Sequence, residues 1–220
     1  MPPLSSVRIL VADDHELVRR GLVTLLSSRP NWSVCAQAST GREAIALASE
    51  HRPNIVVMDI AMPGLNGLEA TRKIRKMLPK TEVAILSLHY SDQLVREVLD
   101  SGARAYILKS DASRDLLSAI DALINRQVFF TSGATQILLD GFCGPAYAQR
   151  PALMRNSLST REREIVQLLA EGRSSKEVAS VLGISIKTAE THRANIMRKL
   201  EMHSVSELVR YAVKNCMIEP

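Results

Sequence analysis

The sequence predicts an α/β domain built on a five-stranded, doubly wound parallel sheet, then a linker, then a small all-α domain. Three observations predict it: β-branched runs alternate with helical stretches from Val7 to Ile124, glycine and proline collect between residues 127 and 155, and only the helical period remains after Arg155. Parallel strands need crossovers of helix length, and right-handed crossovers place helices on both faces of the sheet. The expected boundaries are 1–126 for the first domain, 127–155 for the linker and 156–220 for the second.

The strand candidates are Val7 to Ala12, Trp32 to Ala38, Ile55 to Met58, Val83 to Leu88 and Ala105 to Leu108. They are short and rich in Val and Ile, and two are almost continuously apolar, as strands covered on both faces should be. Between them, Leu17, Leu22, Leu25 and Leu26 give the first helix its apolar stripe, Ala44, Ile45, Leu47 and Ala48 the second, and Leu94, Val95, Val98 and Leu99 the fourth. The linker holds Gly133, Gly141, Gly144, Pro145 and Pro151, with a short helical candidate over Thr135 to Leu139. Ser159 with Glu162 three residues on reads as a capping box, starting a helix that carries Ile165, Leu168 and Leu169. Gly172 stops that helix. Ser174 or Ser175 caps the next, which carries Val178, Ala179 and Leu182 before Gly183. Ser185 starts a longer segment, Ile186 to Leu200, and a last helix carries Val205, Leu208, Val209, Ala212 and Val213.

Composition narrows the class. With 220 residues, 46% hydrophobic and 23% charged, the chain is an ordinary folded protein rather than a disordered one. No apolar run reaches the length of a membrane span, and Met1 to Ser6 lacks the basic start and apolar stretch of a secretory signal, so the expected location is cytoplasmic. Cys35, Cys143 and Cys216 lie far apart and form no metal or disulfide pattern, which leaves reduced, buried thiols as the expectation. A net charge of +5 permits an anionic partner, but it is spread thinly along the chain.

Ligands of open parallel sheets sit at the carboxyl ends of the strands. The residues there are Asp13, Asp14, Asp59, Ser87 and Lys109. Three carboxylates held together need a compensating cation, and an all-oxygen set at a shallow rim suits Mg²⁺. Asp59, alone at the end of the central strand, is then the nucleophile for in-line attack on a phosphoryl group. Lys109 pairs first with Asp59 and later with a phosphoryl oxygen, and Ser87 hydrogen-bonds another.

These residues resemble the CheY-like receiver domain, which has a flavodoxin-like doubly wound fold. The likeness rests on the Asp13-Asp14 pair, the M-D-I-A-M-P-G-L-N-G run around Asp59, Ser87, and the G-A-R-A-Y-I-L-K run ending at Lys109. The resemblance implies Mg²⁺ held by Asp14, Asp59 and the main-chain carbonyl of Ala61, with Asp13 assisting. It also implies phosphotransfer from a sensor histidine kinase to Asp59, and a switch in which Ser87 moves toward the phosphoryl group while Tyr106 turns inward. Many receivers follow the lysine with proline; here Ser110 follows Lys109, and a cis bond would cost several kcal/mol without proline.

In the second domain, the Ile186 to Leu200 segment sets Lys187, Thr188, Glu190, Thr191, His192, Arg193, Asn195, Arg198 and Lys199 against an apolar set of Ala189, Ile196 and Leu200. A helix, a short turn and a second helix with a polar face is the arrangement that enters a major groove. Lys187, Arg193 and Lys199 suit phosphates, Glu190 can accept from a cytosine amine, and Thr191 can touch a thymine methyl. The stretch from Leu158 to Leu200 resembles the LuxR-type helix-turn-helix of the NarL/FixJ group. That resemblance implies double-stranded promoter DNA as the partner of the helix starting near Ser185, and Glu162 as a structural anchor. It departs at Ser175, where Asn is usual, and at Ala189, where Val is usual.

Together the two halves are expected to form a two-component response regulator. The unmodified first domain covers the reading helix or blocks dimerisation, and phosphorylation shifts the population to a homodimer matching two-fold DNA sites. The only chemistry expected is the domain's own phosphotransfer and dephosphorylation. A hydrolase on this sheet would carry a second acid two residues after the nucleophile, where Ala61 stands, and a flavin site would need a phosphate-cradling loop where Ala12-Asp13-Asp14 stands. The alternative is a phosphorylation-independent transcription factor whose first domain is a protein-interaction module; retention of all five rim residues argues against it.

Overall fold

A computed structural model describes residues 6–88, 90–131, 158–215 and 217–218. The chain divides into two compact units, Met1–Leu138 and Leu139–Pro220. In the first, strand and helix alternate as β1 (Val7–Ala12), α1 (Glu16–Ser27), β2 (Trp32–Ala38), α2 (Gly41–His51), β3 (Ile55–Asp59), α3 (Gly67–Met77), β4 (Glu82–Ser87), α4 (Asp92–Asp100), β5 (Ala105–Leu108), α5 (Ala112–Ile124) and β6 (Phe129–Phe130). All strand pairs are parallel, in the order β2-β1-β3-β4-β5-β6. The central strand β3 is buried at every residue, as its unbroken Ile-Val-Val-Met run requires with helices on both faces.

Three expectations need correction here. The sheet has a sixth strand: Phe129 and Phe130 pair with Ala105 and Tyr106, inside the segment read as linker. Two residues are too few to show a period. The pairing is set instead by the turn after α5, where Arg126 adopts φ 59° and Gln127 N–H closes on the Ala122 carbonyl. Leu17 does not belong to the stripe of α1, being 84% exposed, while Leu22 and Leu26 enter the core and Val18 packs against it. Leu17 and Leu22 are five apart, well off the spacing of three or four that keeps residues on one helical face. Val205, read as the start of the last helix's stripe, keeps helical spacing to the buried Leu208 and Ala212 but is exposed in that helix's first turn.

The Lys109–Ser110 bond is trans, and Lys109–Asp111 form a 3-10 turn that runs into α5. Gly67 opens α3 against the active end of β3: a Cβ there would lie 1.8 Å from the Asp59 carbonyl oxygen. Only glycine allows that approach, so the M-D-I-A-M-P-G-L-N-G run couples the start of α3 to the placement of Asp59.

The second unit, among the described residues, is helical: α6 (Thr160–Ala170), α7 (Ser175–Leu182), α8 (Ile186–Lys199) and α9 (Val205–Lys214). Ser159 and Ser174 both form full capping boxes, with Glu162 and Glu177, which resolves the choice between Ser174 and Ser175. Gly183, at φ 63°, ends α7 in the left-handed conformation, and Ser185 caps α8 two residues later. Ile165, Leu168, Val178, Ala189, Ile196, Leu208 and Ala212 make a single core. Cys35 is a free, partly buried thiol. Cys143, Cys216 and the helical candidate over Thr135 to Leu139 lie outside the described residues. No helix among the described residues is long and apolar enough to cross a membrane.

Candidate functional site

Strand register assembles the acidic pocket. Ala12 pairs with Met58, Asp59 with Leu86, and Ser87 with Leu108, so Asp13, Asp59, Ser87 and Lys109 end neighbouring strands at one rim. The Lys109 ammonium lies 2.9 Å from Asp13 Oδ2 and 2.9 Å from Asp59 Oδ2. All three side chains are almost wholly buried, and Ser87 is buried beside them, whereas Asp14 is 30% exposed at the mouth. The loop after β1 is tied down from both sides: the His15 N–H donates to Asp13 Oδ1 (2.8 Å) and Arg19 Nη1 to the Asp13 carbonyl (2.7 Å).

Burial pushes the Asp59 carboxyl up to about 7; Lys109 opposes the rise, and Asp13 and then Asp14 add to it. Burial works against the Lys109 ammonium too, but Asp59 and Asp13 outweigh it and hold its pKa above the ordinary value. One lysine thus faces two buried carboxylates, and apart from that ammonium Asp13 Oδ2 and Asp59 Oδ2 have no hydrogen-bond partner. Such a pocket is short of positive charge.

This imbalance has a measurable sign. An acid whose pKa is raised by folding contributes full stability below its unfolded pKa and loses it as pH climbs to the folded value. In chelator, Asp59→Asn is therefore expected to melt higher than the wild type above pH 7, by roughly 5 °C, with the gap closing toward pH 4. Calorimetry across that range measures it, and a gap that widens in acid would contradict the charge assignment.

Tyr106 is fully buried on β5, and its ring stacks on Tyr90 with centroids 6.2 Å apart. The inward position that the receiver resemblance assigns to the switched state is the one seen here. Ala61 stands two residues after Asp59, half-buried, and no described backbone hydrogen bond ends on its carbonyl. Sequence reasoning passed over two residues. Tyr90 packs on Tyr106 from the loop after β4, and no period or motif marks it. His15 puts Nδ1 2.8 Å from Asp14 Oδ1, and its place directly after the aspartate pair was the available signal.

In the second unit α8 turns Ala189 and Ile196 into the core, which leaves Lys187, Thr188, Glu190, Thr191, Asn195 and Arg198 exposed, with Arg193 half-exposed at the edge. The Thr188 hydroxyl meets Ser185 Oγ (2.8 Å) and the Thr191 hydroxyl donates to the Lys187 carbonyl (2.8 Å), so the Thr191 hydrogen bond is satisfied within its own helix. Arg198 donates to Asn195 Oδ1 at 2.9 Å. Lys199 Nζ sits 3.0 Å from Glu162 Oε2, the same oxygen that accepts from the Ser159 N–H. Burial acts to raise the Glu162 pKa, but those Ser159 and Lys199 contacts outweigh it and hold the carboxyl below its ordinary range. Glu162 is thereby fixed between the cap of α6 and the end of α8, and Lys199 reaches another anion only by exchanging that partner.

Residues 9–121 match the family described as response regulator receiver domain, and residues 156–212 match bacterial regulatory proteins of the luxR family. The oxygen regulatory protein NreC of Staphylococcus epidermidis is 35% identical over 97% of this chain and 100% of its own. A solved LuxR-family two-component response regulator from Aurantimonas sp. SI85-9A1 is 33% identical with a TM-score of 0.60, covering 64% of this chain and 100% of that one. RcsB of Salmonella enterica serovar Typhimurium, solved on a promoter in the presence of the phosphomimetic BeF3-, shares the fold at 24% identity. Its TM-score is 0.64, over 95% of this chain and 99% of that chain. A receiver unit with its acidic rim, a helix-turn-helix with an outward polar face, and a relative collinear from end to end converge: the chain belongs to the response regulators of the NarL/FixJ group, which join a receiver to a LuxR-type DNA-binding domain.

Proposed function

We propose that Asp59 accepts a phosphoryl group from a sensor histidine kinase and that this modification governs dimerisation and promoter binding through α8. The observation that carries the reading is the Lys109 ammonium shared at 2.9 Å between buried Asp13 and Asp59. Asp59 attacks phosphorus in line as the bond to the donor nitrogen breaks, giving an acyl phosphate. Lys109 then moves from the carboxylate to a phosphoryl oxygen, Ser87 hydrogen-bonds a second, and Tyr106 holds the inward position behind it. The same groups serve the later hydrolysis, and no other substrate is turned over.

The donor set fits a divalent cation, with two buried carboxylate oxygens sharing one ammonium as their sole partner and four candidate ligand side chains whose ligand atoms lie within 4.8 Å of one another. Asp13, Asp14, Asp59 and the Ala61 carbonyl would hold Mg²⁺, which when bound neutralises the carboxylates and the incoming phosphoryl oxygens. In the DNA-binding domain, Lys187, Arg193 and Lys199 contact phosphates, while Thr188, Glu190, Thr191 and Asn195 face base edges. Promoter DNA as the target places the protein in the cytoplasm. The proposed domain limits are 1–126 and 156–220 joined by 127–155, with the strand at Phe129–Phe130 counted to the first domain's sheet.

Footprinting with and without phosphoramidate, alongside sizing of both forms, tests the coupling. Phosphorylation is expected to raise promoter affinity by roughly 10-fold or more and to shift monomer toward dimer. Equal affinity in both states would mean that the receiver is an interaction module only.

A further inference from the structure

We infer that His15 is a ligand of the metal site, contributing Nδ1 and shifting its preference from Mg²⁺ toward borderline first-row cations such as Ni²⁺. The inference rests on the reading above that this pocket holds a divalent cation.

His15 is the N-cap residue of α1, yet its side chain makes no capping hydrogen bond. The imidazole is turned instead onto the carboxylates, with Nδ1 2.8 Å from Asp14 Oδ1 and 3.5 Å from Asp13 Oδ1. Its backbone fixes that aim, because the His15 N–H donates to Asp13 Oδ1 and so locks the turn that carries both residues. Neighbouring ligand atoms of an octahedral ion with bonds of about 2.1 Å stand about 3.0 Å apart, and the two nitrogen-to-oxygen spans bracket that edge length. The atoms of Asp13, Asp14, His15 and Asp59 that can ligate lie within 4.8 Å of one another. Two buried oxygens of this pocket, Asp13 Oδ2 and Asp59 Oδ2, share a single cation, the Lys109 ammonium at 2.9 Å from each, which leaves the carboxylates short of positive charge.

A purely oxygen set favours Mg²⁺, whereas an imidazole nitrogen adds affinity along the first-row series and little for Mg²⁺. His15 is half-exposed, so it can follow an ion as it settles without disturbing the core. The competing role is a hydrogen bond from the imidazole to Asp14 at the same 2.8 Å distance, which would steady the carboxylate without touching the metal.

Pulsed electron paramagnetic resonance of the full-length protein loaded with Mn²⁺ as the paramagnetic probe separates the two, with calorimetric titration of Ni²⁺ and Mg²⁺ beside it. Wild type is expected to show the nitrogen coupling of a bound imidazole, and His15→Gln to lose it. That variant should bind Ni²⁺ about 10-fold more weakly while Mg²⁺ affinity changes much less. Wild type without nitrogen coupling, or equal loss for both metals, overturns the assignment and leaves the oxygen site standing. If wild type binds neither ion, the metal reading of the pocket falls with it.

Discussion

An Asp59→Asn protein is expected to take up no phosphoryl group from phosphoramidate or from a phosphorylated kinase, and its promoter affinity to ignore both donors. The amide is close to isosteric with the carboxylate, but its lone pair is delocalised and it offers no oxyanion to attack phosphorus. The effect is all-or-none because no described neighbour can replace it. Asp13 is buried with Oδ1 held by the His15 N–H and Oδ2 against Lys109, and Asp14 stands partly exposed at the mouth with Oδ1 against His15 Nδ1. The fold tolerates the change, since Lys109 keeps Asp13 as its partner and Gly67 packs on the backbone of residue 59 rather than on its side chain. Phosphate-affinity electrophoresis reads the result, and a shifted band in the variant would place the acceptor elsewhere.

Much of this site was legible because β-branched runs locate strand ends, and strand ends locate ligands in a parallel sheet. Asp59 needed only the Ile-Val-Val-Met run before it, and Lys109 the Ala-Tyr-Ile-Leu run before it. Register cannot be read from runs alone. That Lys109 faces Asp13 as well as Asp59 depends on Ala12 pairing with Met58, a long-range fact that no local pattern contains. The strand at Phe129–Phe130 escaped for the opposite reason, being shorter than the period that would reveal it and positioned by the left-handed turn at Arg126. Leu17 misled because an apolar residue in a helix's first turn scores as stripe whether or not the core reaches it. In the second unit Glu162 was readable as a cap, but its bond to Lys199 spans 37 positions and needed the packing of α6 on α8.

The second large effect concerns α8. Helical period sets Lys187, Glu190, Thr191, Asn195 and Arg198 opposite the buried Ala189 and Ile196, with Arg193 along one margin of that face. A helix seated in a major groove by that surface brings Lys187, in its first turn, and Arg193, at the margin, against the two flanking backbones. Replacing both by alanine removes two phosphate contacts per subunit while preserving the helix, because alanine has the best helix propensity and neither side chain enters the core. Affinity is then expected to drop on the order of 10-fold or more on every sequence, specific or not, and the slope of log affinity against log salt to become shallower by about 2 per subunit. Glu190→Ala should behave otherwise, relaxing discrimination at one base pair by about 1–3 kcal/mol with the salt slope unchanged. Binding isotherms at several salt concentrations on promoter and random duplex separate these outcomes. If the double variant keeps the wild-type slope, the outward face of α8 is a solvated surface, and the DNA must be held by another part of the domain.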